Sequence, residues 1–170
     1  MEKPIIYLYE PLKAEQIEKI KQTAENYTVA ASKEELSSLD IHSIEIMLGW
    51  DKELGQQLLT SPDSQLKWVQ TISAGVDTLD LDQFSKKGVL LSNASGIHSI
   101  SIAEHVLGVL FTEYRGIRKS IIKQQEKVWS RDDLGYQQLS GQKMLIVGTG
   151  HIGQQLAAFT QGLGIQTYGV

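Results

Sequence analysis

The sequence predicts an α/β protein built on parallel sheets. Three observations carry that prediction. Short apolar runs alternate with helical stretches through residues 4–92. The connections between those runs are long enough to hold a helix and too long for hairpins, so neighbouring strands should run parallel. Near the other end, a strand enters a Gly-x-Gly-x-x-Gly turn and continues as a helix.

The elements follow in order. Pro4 to Tyr9 reads as a buried strand, and Lys13 to Glu25 as a helix with Ile17, Ile20 and Ala24 at +3 and +4 spacing. Tyr27 to Ala31 is a second strand, and Ser32 with Glu35 forms a capping box that opens a short helix. Ile44 to Leu48, Trp68 to Ile72 and Val89 to Ser92 are strands three to five. Helices around Glu53 to Leu59 and Leu79 to Lys87 separate them, the latter stopped by Gly88. Such an order predicts an open, flavodoxin-like sheet with helices on both faces. From Ser99 to about Lys127 one apolar stripe runs at 100, 103, 107, 110, 114, 117 and 121, interrupted in type only by Gly108 and Gly116. The expectation is one long helix linking two domains, buried on several sides over Ile102 to Phe111. Met144 to Val147 is the next strand, followed by a helix over Gln154 to Gly162 and a further strand from Ile165.

Composition narrows the function. With 16 basic and 20 acidic residues the formal charge is −4, which argues against a general polyanion binder. The sequence has no cysteine, which removes disulfides, thiolate metal sites and a cysteine nucleophile together. The N-terminal apolar run is too short for a signal peptide and no apolar stretch has membrane-spanning length. The expectation is a soluble, cytoplasmic protein.

The glycine turn carries the clearest chemistry. Gly148 permits the tight strand-to-helix turn, Gly150 lets backbone approach a pyrophosphate, and Gly153 lets the helix pack on its strand. Unpaired N–H groups at the helix start then face the phosphates. The alternative is a plain glycine-rich turn. The acidic residue expected about 20 positions on would fall at or past Val170, so NAD and NADP are not separated.

Beyond the turn, Lys67-Trp68-Val69-Gln70-Thr71-Ile72-Ser73-Ala74-Gly75-Val76-Asp77 resembles the substrate-domain signature of the D-isomer-specific 2-hydroxyacid dehydrogenase family. So does the order that follows: Gly88-Val89, Ser92 to Gly96, Ile102-Ala103-Glu104, Trp129, Leu139 to Gln142, then the glycines. The resemblance spans essentially the whole chain. It implies a substrate domain over residues 1–98, and over 99–170 a linking helix and the first βαβ of a Rossmann NAD(P)-binding domain. It also implies that Ala74 and Gly75 offer backbone N–H groups to a substrate carboxylate and that Asn93 lies near substrate. Ser99, His151 and Ile152 would touch the cofactor with Gly148, Gly150 and Gly153. The bland readings are a βα turn for 73–77 and an Asx cap for Asn93.

The family's arginine, histidine and tuning carboxylate belong to a later part of the nucleotide domain. No catalytic residue is therefore assigned here; Arg115, Arg118 and Arg131 all precede the fingerprint. The sequence ends inside a strand, and the expectation is a piece of a longer enzyme interconverting a 2-keto acid and a D-2-hydroxy acid. A non-catalytic dinucleotide-binding or assembly module, or an inactive fragment, is the alternative.

His98 and His105 would stand about 10 Å apart on a helix, too far to share a metal, and no metal site is expected. Glu104 complements a helix start or serves between domains. Residues 113–131 carry a net +4, read as a solvated face, with an acidic partner or a homodimer contact as the alternatives.

Overall fold

The computed structural model describes residues 3–170. They form two compact units, one ending at Ser95 and the other spanning Gly96–Val170.

In the first unit, β1 (Ile5–Leu8), β2 (Thr28–Ala30), β3 (Ile44–Leu48), β4 (Trp68–Gln70) and β5 (Leu90–Ser92) make one parallel sheet in the order β2-β1-β3-β4-β5. Each crossover carries helix: α1 (Ala14–Thr23), α2 (Lys33–Leu36) with a following 3₁₀ turn, α3 (Lys52–Thr60) and α4 (Leu81–Lys87). The α/β class and the parallel sheet are as the alternation of runs predicts. β1 is buried along its whole length, as a strand flanked on both sides requires. Its Tyr7 joins Ile44, Met47, Leu58 and Val69 in a fully buried centre. The helix starts are written in the sequence. Ser32 Oγ accepts from Glu35 N at 3.2 Å, while Glu35 Oε2 reaches back to Ala31 N at 2.8 Å, one residue earlier than the usual box. Asp51 Oδ1 takes the N–H groups of Glu53 and Leu54, and Gly88, at φ +72°, closes α4.

In the second unit, α5 (Ser99–Tyr114) and α6 (Ile117–Gln125) precede β6 (Lys143–Ile146), α7 (His151–Gly162) and β7 (Gln166–Gly169). β6 and β7 pair parallel, and α5 packs against α7. Two expectations need correction. The single helix over 99–127 is broken: Gly116 takes φ +64°, and a Cβ there would run onto the Leu134 carbonyl, at 2.5 Å. Gly108, with open space around it, stays helical. The apolar first half of α5 is not enclosed either. Only Ala103 is buried, while Ile100, Ile102 and Val109 are exposed, because the packing of α5 against α7 and α6 leaves those positions uncovered. Leu145, Val147 and Tyr168, around the β6–β7 pair, are exposed as well.

Candidate functional site

Two backbone cradles stand out, one in each unit. The first follows β4. Thr71 N continues the ladder onto Ser92 O, after which the chain turns. The carbonyls of that turn are tied down one by one. Ser73 O accepts from Thr71 Oγ1 and Ala94 N, both at 3.1 Å. Ala74 O accepts from Asn93 Nδ2 at 2.9 Å, and Gly75 O from Ser73 Oγ at 2.8 Å. The N–H groups of residues 73–77 donate to no described group. Backbone N–H groups left without a partner can serve an anion where they converge. Asp77 Oδ2 lies 3.3 Å from where a Gly75 Cβ would be.

Asn93 therefore has a definite task. Its amide braces the Ala74 carbonyl, and its Oδ1 accepts from Ser95 N at 3.1 Å. Both the Asx turn and the approach to the 73–77 turn are present in one side chain.

The second cradle follows β6. Gly148 sits at φ +99°, a left-handed backbone that favours glycine, and its N–H holds Val170 O at 2.8 Å. Open space surrounds the position of a Cβ on Gly150, so a ligand can come close to the backbone there. At Gly153 a Cβ would collide with the Gly148 carbonyl and come within 3.2 Å of Ile146 Cγ2. The first inward bond of α7 is Gln154 N to Gly150 O at 2.9 Å. Before it, the N–H groups of residues 149–153 donate to no described group, and they sit at the positive end of the helix. Gln154 Nε2 closes the turn on Thr149 O at 2.8 Å. A dinucleotide pyrophosphate fits this arrangement: it needs a close backbone approach and several aligned donors, and both are there.

The other expected cofactor residues lie nearby with distinct roles. Ile152 is partly exposed on the first turn of α7. The His151 ring lies against Gly96. Ser99 Oγ bonds back to Gly96 O at 2.7 Å, so its hydroxyl serves the start of α5. Among the described residues, no three His, Asp or Glu side chains gather closely enough to hold a metal. Sequence reading did not find the braces on the 73–77 turn or the approach of His151 to Gly96. Both depend on contacts across the fold. Thr71 and Ser73, hydroxyl residues flanking a glycine turn, were the available signal for the braces.

Along the chain, a parallel α/β unit is thus followed by a βαβ unit with a glycine turn at its strand-to-helix connection. The model of the D-isomer specific 2-hydroxyacid dehydrogenase catalytic domain matches residues 6–164, and the chain belongs to that family. D-3-phosphoglycerate dehydrogenase of Escherichia coli strain K12 is 35% identical over 94 residues, covering 55% of this chain and 23% of that protein. The Bacillus subtilis protein of the same name is 28% identical over 129 residues, covering 76% and 25%. Among solved structures, phosphoglycerate dehydrogenase from Lactobacillus plantarum aligns with TM-score 0.56 at 35% identity, over 97% of this chain and 53% of that one. A family protein from Aeromonas salmonicida aligns with TM-score 0.72 at 26% identity, over 99% and 53%. The chain thus spans about half the length of these solved relatives, and its matched segments cover about a quarter of the curated ones.

Proposed function

We propose that this chain provides the substrate-carboxylate cradle and the opening half of the cofactor site of an NAD(P)-dependent D-2-hydroxyacid dehydrogenase. The observation that supports this most directly is the second cradle, where Gly148, Gly150 and Gly153 each meet a separate steric demand of pyrophosphate binding. In this reading residues up to 98 form the substrate domain and 99–170 begin the nucleotide domain. The nicotinamide, when bound, supplies or accepts the hydride at C2 of the acid. The chain's own residues bind and orient. The N–H groups of Ala74 and Gly75 hold the carboxylate, Asn93 braces that turn, and the donors of residues 149–153 take the pyrophosphate, with Ile152 and Ser99 beside it. NAD is the cofactor of first choice, NADP the second. The chain assigns no group to proton transfer.

The same reading places the enzyme in the cytoplasm as a homodimer. No helix among the described residues is long and apolar enough to cross a membrane. Ile117, Ile121, Ile122 and Trp129 leave an exposed apolar row on and after α6 that a second copy would cover.

The test is oxidation of NADH or NADPH by the full-length gene product with pyruvate, glyoxylate and hydroxypyruvate. Turnover of at least one keto acid is expected. A product that binds NADH yet turns over none would favour the non-catalytic dinucleotide-binding module instead.

A further inference from the structure

The approach of His151 to Gly96 has no part in the binding scheme above. Gly96 is the first residue of the second unit and sits at φ +89°, where glycine is favoured. A Cβ on it would stand 3.1 Å from His151 Cδ2 and 3.3 Å from Cγ, so the missing side chain leaves the seat for the ring. The Gly96 carbonyl is bound twice by the start of α5, by Ser99 N at 3.1 Å and Ser99 Oγ at 2.7 Å. The junction backbone, the first turn of α5 and the imidazole therefore form one packed contact. On the other side, His151 opens α7 and belongs to the stretch whose N–H groups are free.

We propose that His151 is a positioning residue that couples occupancy of the glycine turn to the backbone of the junction at Gly96. The inference rests on the dinucleotide reading of that turn. A phosphate drawn onto the N–H groups of residues 149–153 orders the first turn of α7. The His151 Cα belongs to that turn, so its ring is held more firmly on Gly96. Packed contacts pass such restraint directly, because a ring seated on backbone cannot shift independently of it. Occupancy of the turn thus stiffens residues 94–99, and the coupling depends on ring shape rather than on ring nitrogen.

Hydrogen–deuterium exchange of the full chain with and without NADH tests this, with NADH affinity measured in parallel by fluorescence. Wild type should show slower exchange over residues 94–99 when NADH is bound. With NADH raised to saturate each variant, whatever its affinity, His151→Ala should lose that protection. His151→Phe, which keeps a planar ring over Gly96, should retain it. His151 is exposed, so neither variant opens the core, and thermal unfolding checks this. Protection that persists in His151→Ala, or vanishes in His151→Phe, overturns the coupling. Absence of NADH binding in wild type at any concentration would instead overturn the dinucleotide reading, and the coupling would fall with it.

Discussion

Glu45 and Lys67 form an ion pair of 2.5 Å at the amino end of β3 and β4, and the Tyr27 hydroxyl donates to the same carboxylate at 2.9 Å. Glu45 is buried, whereas Lys67 reaches it from solvent. The hydrogen bond from Lys67 holds the Glu45 carboxyl below the usual range, against the opposing effect of burial, with Tyr27 adding to the lowering. A carboxyl lowered in the folded state contributes stability above its unfolded pKa of about 4.3 and loses it as pH falls through the folded value. Unfolding midpoints in urea should therefore fall on acidification below about pH 5. Glu45→Gln should flatten that limb. Lys67 and Tyr27 are both raised, chiefly by their bonds to Glu45, so their contribution is lost at the alkaline end. Tyr27→Phe should cost roughly 1.5–3 kcal/mol near neutral pH, the usual worth of a hydrogen bond to a charged group. An unchanged acid limb in Glu45→Gln would mean that the network adds nothing to stability.

Gly108 and Gly116 fall within one stretch of continuous helical periodicity yet should respond in opposite directions to alanine. Gly108 is helical with nothing within 4 Å of a Cβ, so Gly108→Ala should stabilise by about 0.5–1 kcal/mol. Gly116 combines φ +64° with the Leu134 carbonyl at the Cβ position. Gly116→Ala should destabilise by roughly 1–3 kcal/mol, or force α5 and α6 to rejoin by moving Leu134. Paired urea curves decide it; equal shifts would contradict the break.

These two glycines also mark where sequence reading ran out. Local signals were legible: the apolar run Ile5–Leu8, the Ser32 and Glu35 pair, the stop at Gly88 and the spacing of Gly148, Gly150 and Gly153 each act within a few residues. The break at Gly116 is different. The stripe at +3 and +4 continues through it, and only the Leu134 carbonyl, eighteen positions on, shows why a left-handed residue is needed there. The exposure of Ile102 and Val109 was equally hidden, since periodicity tells which face is apolar and not how much of it is covered. At the candidate site, residue types alone favoured a plain turn and an Asx cap, and only the resemblance implied substrate roles for Ala74, Gly75 and Asn93. That Asn93 spends its amide on the Ala74 carbonyl is a contact across 19 positions, set by the pairing of β4 with β5.

Gly153 gives the sharpest test of the second cradle. A methyl group there meets the Gly148 carbonyl, which is backbone and can yield only by opening the turn. Gly153→Ala should weaken NADH binding at least about tenfold, a loss of roughly 1.4 kcal/mol or more. Because Gly153 lies outside the first unit, the sheet β2-β1-β3-β4-β5 should keep its stability. Fluorescence titration with NADH, beside circular dichroism, separates the two effects. Unaltered affinity would show that pyrophosphate does not use this turn.

Asn93 tests the first cradle through its support. Asn93→Ala frees the Ala74 carbonyl while leaving the N–H groups of residues 73–77 chemically intact. The turn then samples orientations in which those donors no longer converge, and carboxylate binding weakens before the chemical step suffers. On the proposed function, KM of the full-length protein for a keto acid should rise several-fold with kcat changed less, since the brace acts on ground and transition states alike. Asn93→Asp should be worse, because a carboxylate in that place repels both the Ala74 carbonyl and an incoming acid. A fall in kcat at constant KM in either variant would instead place Asn93 at the reacting centre, as a contact to substrate rather than a brace behind it.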